Sequence, residues 1–257
     1  MQYKEIQEQI QKVVDFEIDS IKLLGSGMAN TAYVVNGTWV FRFAMIGEAK
    51  RTLIKEVSIL PVIASSLQVG VPNPSYSRMQ PDQSYFVGYE LLPGEPLERN
   101  RFNRLAADIQ SQLLHELHDF LIELHAIELV RVPALEEEAY VGAYNQTQRH
   151  FHDQLSSVLG PDVVHKIEAV YVAYEADLAN RSRGPVVIHS DLKPDHVLFD
   201  SNTGHLTGVL DYSDSALGDP DYDFVIVGVF FSEDFLIRLL DYGNERDKAR
   251  ILRKAPF

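Results

Sequence analysis

The sequence predicts an α+β protein of two lobes, a small antiparallel-sheet lobe followed by a larger, mostly helical one, with a cleft between them. Three observations carry this. The first ninety or so residues hold short apolar runs separated by turn signals, Asn36-Gly37 among them. At "LLPGEPLE" two prolines flank Gly94 and the character of the chain changes. Beyond it run long patterns with apolar residues at helical spacing. The division falls at residues 1–92 and 93–257, with a hinge near 91–96. A cleft between two lobes is a preferred place for a ligand.

The elements follow in order. Residues 3–14 form a short amphipathic helix, with Ile6 and Ile10 at helical spacing. "SIKLL" runs into "GSGMAN", and "TAYVV" and "TWVFRFA" flank Asn36-Gly37. That dipeptide is a strong hairpin signal, because both turn positions favour positive φ. "EAKRTLIKEVSILPVIASSL" has helical periodicity, and Pro61 is expected to kink or divide it. "VPNPSYSRM" and "SYFVGYELLP" read as a further strand pair. In the second lobe, helices are expected over 103–127, 135–154 and 161–180. Short strands are expected at 186–189, 196–200 and 206–211, with helical segments after Asp219.

Bulk properties narrow the function. The chain has 257 residues, a formal net charge of −14 and no cysteine. Disulfides, thiolate nucleophiles and zinc–thiolate sites are excluded. Non-specific binding to nucleic acid or anionic lipid is opposed by repulsion. The N-terminus lacks the long apolar core of a signal peptide, and no apolar run is long enough to span a bilayer. The expectation is a cytoplasmic monomer with neither a nucleic-acid nor a membrane partner.

Three clusters could carry chemistry. Gly25-Ser26-Gly27 lies between two predicted strands, where glycines admit close backbone approach and successive N–H groups form an anion cradle. On its own this reads equally as a tight turn. Arg42 stands between Phe41 and Phe43, with Glu56 on the next helix. Strand alternation alone places Arg42 on a wet face. The third cluster, Gly184 to Asp241, holds eleven acidic residues against Lys193 and Arg238, and so carries −9 of the −14. Asp191 follows one predicted strand and Asp211 ends another, where paired carboxylates can serve as a base and as a ligand for a hard cation.

In this order the clusters resemble the protein-kinase fold, and specifically the aminoglycoside phosphotransferase family, from about residue 20 to about 230. "HSDLKPDHVLFD" and "GVLDYSDSALGDPDYDF" are the specific motifs. His196, five after Asp191, is closest to the 2″-aminoglycoside and macrolide branches. The resemblance implies transfer of the γ-phosphate of ATP or GTP, with Mg²⁺, to a small molecule. Asp191 then looks like the catalytic base, and Asp211 and His196 like the metal-side residues. Ser26 and Gly27 cover the phosphates, Arg42 with Glu56 replaces the usual lysine pair, and Lys193 is a phosphate contact. Glu90 and Leu92 hold the purine through their backbone. Gly218-Asp219-Pro220 and Asp223 are expected to scaffold the catalytic loop.

The acceptor is expected to be cationic, with Glu233 and Asp234 as contacts. The "EEE" at 136–138 is a further candidate, but reads more simply as a solvated helix face. A macrolide acceptor would instead use Phe230, Phe231 and Phe235. Choline- or sugar-type acceptors stay open. Only about thirty residues follow Asp223, fewer than the family usually has, which keeps a nucleotide-binding pseudokinase as the non-enzyme reading.

Overall fold

The computed structural model describes residues 3–27, 30–44, 47–80, 84–135, 154–179 and 184–255. The expected helix over 135–154 and the acidic triplet at 136–138 lie almost wholly outside them.

The small lobe is one antiparallel sheet of order β1-β2-β3-β5-β4, built from Ile21–Ser26, Asn30–Val35, Trp39–Ala44, Tyr76–Met79 (β4) and Tyr85–Glu90 (β5). The β2–β3 turn is the one the sequence announces. Asn36 and Gly37 have φ of 52° and 71°, and Thr38 N–H donates to Val35 O at 3.1 Å. Helices cover both faces of this sheet. Helix α1 (Tyr3–Gln11) buries Ile6 and Ile10 against Tyr33, Val35, Phe41, Phe43 and Phe86. Helix α2 (Gly47–Ala64) lays Ala49 and Leu53 against Val40, Ala44, Val87 and Tyr89 on the opposite face. Each fully buried side chain of this size contributes about 1.5–3 kcal/mol.

Pro61 does not divide α2, which runs through it to Ala64. A proline removes one N–H bond from the ladder. Ile59, Leu60 and Ile63, all buried in the second lobe's core, hold the last turn in place.

The connector passes through β6 (Glu95–Pro96), a two-residue strand that pairs with β8 (Val197–Phe199), which in turn pairs with β9 (Leu206–Val209). Gly94 has φ +104°, and Thr207 Oγ1 donates to Pro93 O at 2.7 Å. The connector therefore rests on the second lobe instead of spanning open solvent. Leu92 packs over Gly208, where a Cβ would meet its side chain at 2.9 Å.

Beneath lie α3 (Arg99–Phe102) and α4 (Ala107–His125), the latter burying Leu113, Leu114, Leu117, Phe120, Leu121 and Leu124. Helix α5 spans Pro161–Ala179. Strand β7 (Val186–Ile188) pairs with β10 (Ala216–Gly218). Helices α6 (Pro220–Phe230), α7 (Glu233–Leu240) and α8 (Glu245–Lys254) follow. His196 ends a 3₁₀ turn, Pro194–His196, and does not begin a strand as expected. No helix among the described residues is long and apolar enough to cross a membrane.

Candidate active site

Strand β7, with Val187 and Ile188 fully buried, delivers the equally buried His189 to the start of the loop that carries Asp191. The chain then turns sharply, Ser190 taking φ 70°. Asp223, fully buried on α6, holds this turn: its carboxylate accepts the N–H groups of His189 at 3.0 Å and Ser190 at 2.8 Å. His125, at the end of α4, closes on the same carboxylate through Nε2 at 2.9 Å. Burial alone would push the Asp223 carboxyl up, but the His125 bond and the loop amides hold it below the ordinary carboxylate value.

His189 is a buried strut. Its Nε2 donates to Leu210 O at 3.0 Å, and its Nδ1 accepts from Asp191 N at 3.3 Å. Burial lowers its pKa, which matches a ring used as one donor and one acceptor.

Asp191 is half-buried, its side chain 22% exposed. Its Oδ2 takes Lys193 Nζ at 2.8 Å. Burial pulls the Lys193 ammonium down, and the Asp191 bond lifts it above its ordinary value. His196 Nδ1 meets the Asp191 backbone carbonyl at 2.8 Å. A carbonyl only accepts, so the proton sits on Nδ1, and in the neutral ring Nε2 carries the lone pair. Nε2 lies 3.6 Å from Asp211 Oδ2.

Asp211, just beyond β9, has φ 62°. Its Oδ1 accepts from Ser213 Oγ at 2.7 Å and is reached by Arg42 Nη2 at 3.4 Å. Burial raises the Asp211 pKa, and Arg42 and Ser213 bring it below its ordinary value.

Arg42 is not on a wet face. Strand alternation does separate it from Phe41 and Phe43, but the face it occupies is covered by α2, leaving Arg42 8% exposed and Glu56 1%. Arg42 Nη1 holds Glu56 Oε2 at 2.7 Å. Burial nevertheless pushes Glu56 up to about 7, against the pull of Arg42. Arg42, Glu56, Asp211, His196, Asp191 and Lys193 thus form one contiguous set across the two lobes.

Other predicted residues are placed differently. Ser26 ends β1, its Oγ 3.2 Å from Thr31 Oγ1, and Gly27 N–H is already bonded to Asn30 O at 3.0 Å. That amide is committed within the loop in this conformation. A Cβ on Gly25 would meet nothing within 4 Å, so the strand end faces open space. Glu90 is exposed at the end of β5, and the adjoining Leu91 N–H donates to Thr38 O at 2.8 Å. Glu233 and Asp234 are exposed in the first turn of α7, which Ser232 caps. Phe231 and Phe235 stack at 4.3 Å inside the core, whereas Phe230, the third aromatic of that set, is 43% exposed at the end of α6.

A family model described as "Phosphotransferase enzyme family" matches residues 20–255. The chain belongs to that family. Membership makes it a phosphotransferase, and the two-lobe fold expected from the sequence is the one its structural neighbours share. A GDP and kanamycin complex of APH(2″)-IIIa superposes with a TM-score of 0.86 at 29% identity, covering 98% of this chain and 85% of that one. Apo macrolide 2′-phosphotransferase MphH from Brachybacterium faecium gives a TM-score of 0.73 at 18% identity, covering 97% and 88%, a likeness of fold. The uncharacterized protein YcbJ of Bacillus subtilis is 45% identical over 59 residues, a match spanning 23% of this chain and 19% of that relative.

Two side chains of this phosphotransferase's site were not legible beforehand. His125 sits in the last turn of the amphipathic α4, which also carries His115 and His118, so nothing local singles it out. Lys55 Nζ donates to Ser215 O at 2.8 Å and ties α2 to the segment after Asp211. Only knowledge of which face of α2 meets that segment would have found it.

Proposed function

We propose that the protein transfers the γ-phosphate of ATP or GTP to a hydroxyl of an aminoglycoside in a Mg²⁺-dependent reaction. Residues 1–92 contribute nucleotide binding, and 93–257 contribute catalysis and acceptor binding. The observation that carries this reading is the junction of Arg42, Asp211, His196 and Asp191, in a chain 29% identical to a protein crystallised with GDP and kanamycin.

In this reading the acceptor oxygen attacks the γ-phosphorus, the bond to the β–γ bridging oxygen breaks, and the hydroxyl proton passes to Asp191. Such a base contributes about 10²–10⁴-fold. Lys193, paired with Asp191 here, turns to the transferred phosphate when nucleotide is present. Arg42, oriented by Glu56, lies against the phosphates, with Ser26 and Gly27 above them. The backbone at Glu90 and Leu92 receives the purine.

The residues fit Mg²⁺. Asp211 Oδ2 and the His196 Nε2 lone pair face each other at 3.6 Å, two electron-pair donors with no proton between them in the neutral ring. Among the described residues no group of three or more His, Cys, Asp or Glu side chains could hold a metal. One or two carboxylates supplemented by nucleotide phosphates and water is the usual Mg²⁺ arrangement; Asp211 supplies the carboxylate here, and the His196 nitrogen is a softer second donor. When bound, the ion supplies charge neutralisation on the phosphates. Asp211 and His196 would hold it.

The exposed Glu233 and Asp234 support a polycationic acceptor. Burial of Phe231 and Phe235 in the core leaves Phe230 as the exposed ring of the three, a small surface for the large apolar face of a macrolide. A cytoplasmic monomer that confers antibiotic resistance belongs with this reading. Coupled assays with aminoglycosides, macrolides and choline, each with ATP and GTP, test it. Turnover is expected with an aminoglycoside. Tight nucleotide binding without turnover on any acceptor would favour a pseudokinase, and full activity in Asp191→Ala would remove the base from the mechanism.

A further inference from the structure

The carboxyl-terminal helix carries a charge cluster that the reaction does not use. Lys254 is 2% exposed, in the last turn of α8, and Asp221 on α6 is equally buried. An ammonium this deep is rare unless fully paired. Lys254 Nζ donates to Asp219 Oδ2 at 2.8 Å and Asp221 Oδ2 at 2.7 Å. Arg250, one turn earlier on the same face, grips Asp221 in a bidentate pair, Nε and Nη2 each at 2.7 Å. Two cations from α8 thus meet two carboxylates at the start of α6.

Those carboxylates are placed to transmit position. Asp219 is the N-cap of α6, its Oδ1 accepting from Asp221 N at 3.0 Å. Asp223, in the same first turn, holds the His189 and Ser190 amides, and Asp191 is the next residue. A buried ion pair adds little net stability compared with apolar packing of the same volume. Its rigid, directional bonds do set the geometry of whatever they hold.

We propose that Lys254 and Arg250 are positioning residues for the catalytic loop, acting from α8 through Asp219 and Asp221 on the turn of α6 that carries Asp223. This rests on the reading of Asp191 as the catalytic base. The clamp gives the acidic second signature, "GDPDYD", a partner about thirty residues downstream.

The test uses the full chain with Lys254→Met, Asp219→Asn and the double variant. Asparagine keeps the cap, because its amide oxygen still accepts from Asp221 N–H. In Lys254→Met, kcat is expected to fall about tenfold with the nucleotide KM unchanged, as a small displacement of a catalytic group produces. Amide exchange at His189 and Ser190 is expected to speed up about tenfold. Both defects should shrink when Lys254→Met is made in the Asp219→Asn background, where no unpaired carboxylate is left at the cap. A lowered melting temperature with kcat and the exchange of these two amides at wild-type values would overturn the proposal and leave Lys254 a simple staple. An equal cost of Lys254→Met in both backgrounds would overturn the Asp219 arm of the clamp and leave Asp221 as the contact through which Lys254 acts. If the wild-type chain phosphorylates no acceptor, the kinase reading fails, and the exchange measurement decides the clamp by itself.

Discussion

Arg42 on β3 and Asp211 beyond β9 stand 3.4 Å apart, Nη2 to Oδ1, across 169 residues of sequence. The same guanidinium holds Glu56 with its other nitrogen. A planar fork can serve two carboxylates at once, which a lysine ammonium does with less fixed geometry.

This arrangement predicts an unusual stability profile for Arg42→Met. Removing the cation leaves Glu56 buried and uncompensated, which costs about 3–5 kcal/mol. Glu56 is pushed up to about 7 even with Arg42 pulling it down; without the cation it rises further, so the wild type stops losing stability above about 7 while the variant goes on losing it. Urea unfolding should therefore find a larger defect at pH 8 than at pH 5. Arg42→Met/Glu56→Leu should recover most of it at both. A defect independent of pH would assign the loss to packing alone.

Asp223 should control the acid limb of stability. Its carboxyl is held below the ordinary 3.8, so its contribution is complete above that value and disappears as pH falls through the lower native value. Asp223→Asn removes that titration. Denaturant midpoints measured downward from pH 5 should fall less steeply in the variant than in the wild type, from a lower starting stability. Parallel slopes would show that other carboxylates govern acid unfolding.

How far the sequence could be read depended on the length of each signal. The Asn36-Gly37 hairpin and the six buried leucine and phenylalanine positions of α4 repeat often enough to be unambiguous. Strands β6 and β10 have two and three residues and carry no period. Arg42 was placed on the correct strand, but its exposure depended on α2 covering that face, which no local pattern encodes. The acidic stretch from 184 to 241 suggested a broad attractor for cations. In the fold much of it is spoken for: Asp219 and Asp221 by α8, Asp241 by Lys248, Asp223 by His125, Asp211 by Arg42. Pairing between distant segments is invisible to charge counting.

His196 makes two separable contacts, and His196→Asn distinguishes what each does. The Nδ1 bond to Asp191 O secures the loop, while Nε2 faces Asp211. If Nε2 is a metal ligand, replacing it with an amide oxygen, the harder donor, should shift the Mg²⁺ concentration for half-maximal activity several-fold and alter the Mg²⁺/Mn²⁺ preference. Metal titrations of activity and of nucleotide binding check this. An unchanged Mg²⁺ curve would leave His196 with the loop bond only.

Once the paired carboxylates are set aside, Glu233 and Asp234 at the start of α7 remain exposed, as do Asp195 and Asp214, with a 3.9 Å contact from Arg238 to Asp234. Fully solvated carboxylates attract a polycation through a screened field, so each contributes modestly and in a salt-dependent way. Glu233→Gln/Asp234→Asn is therefore expected to raise the acceptor KM about fivefold at low ionic strength, an effect of the size of one such surface pair. The gap should narrow as salt rises, and kcat and the nucleotide KM should stay at wild-type values, since neither residue touches the Asp191 cluster in the fold. Steady-state kinetics at two ionic strengths read all three quantities. An unchanged acceptor KM would move the ammonium contacts elsewhere in the second lobe.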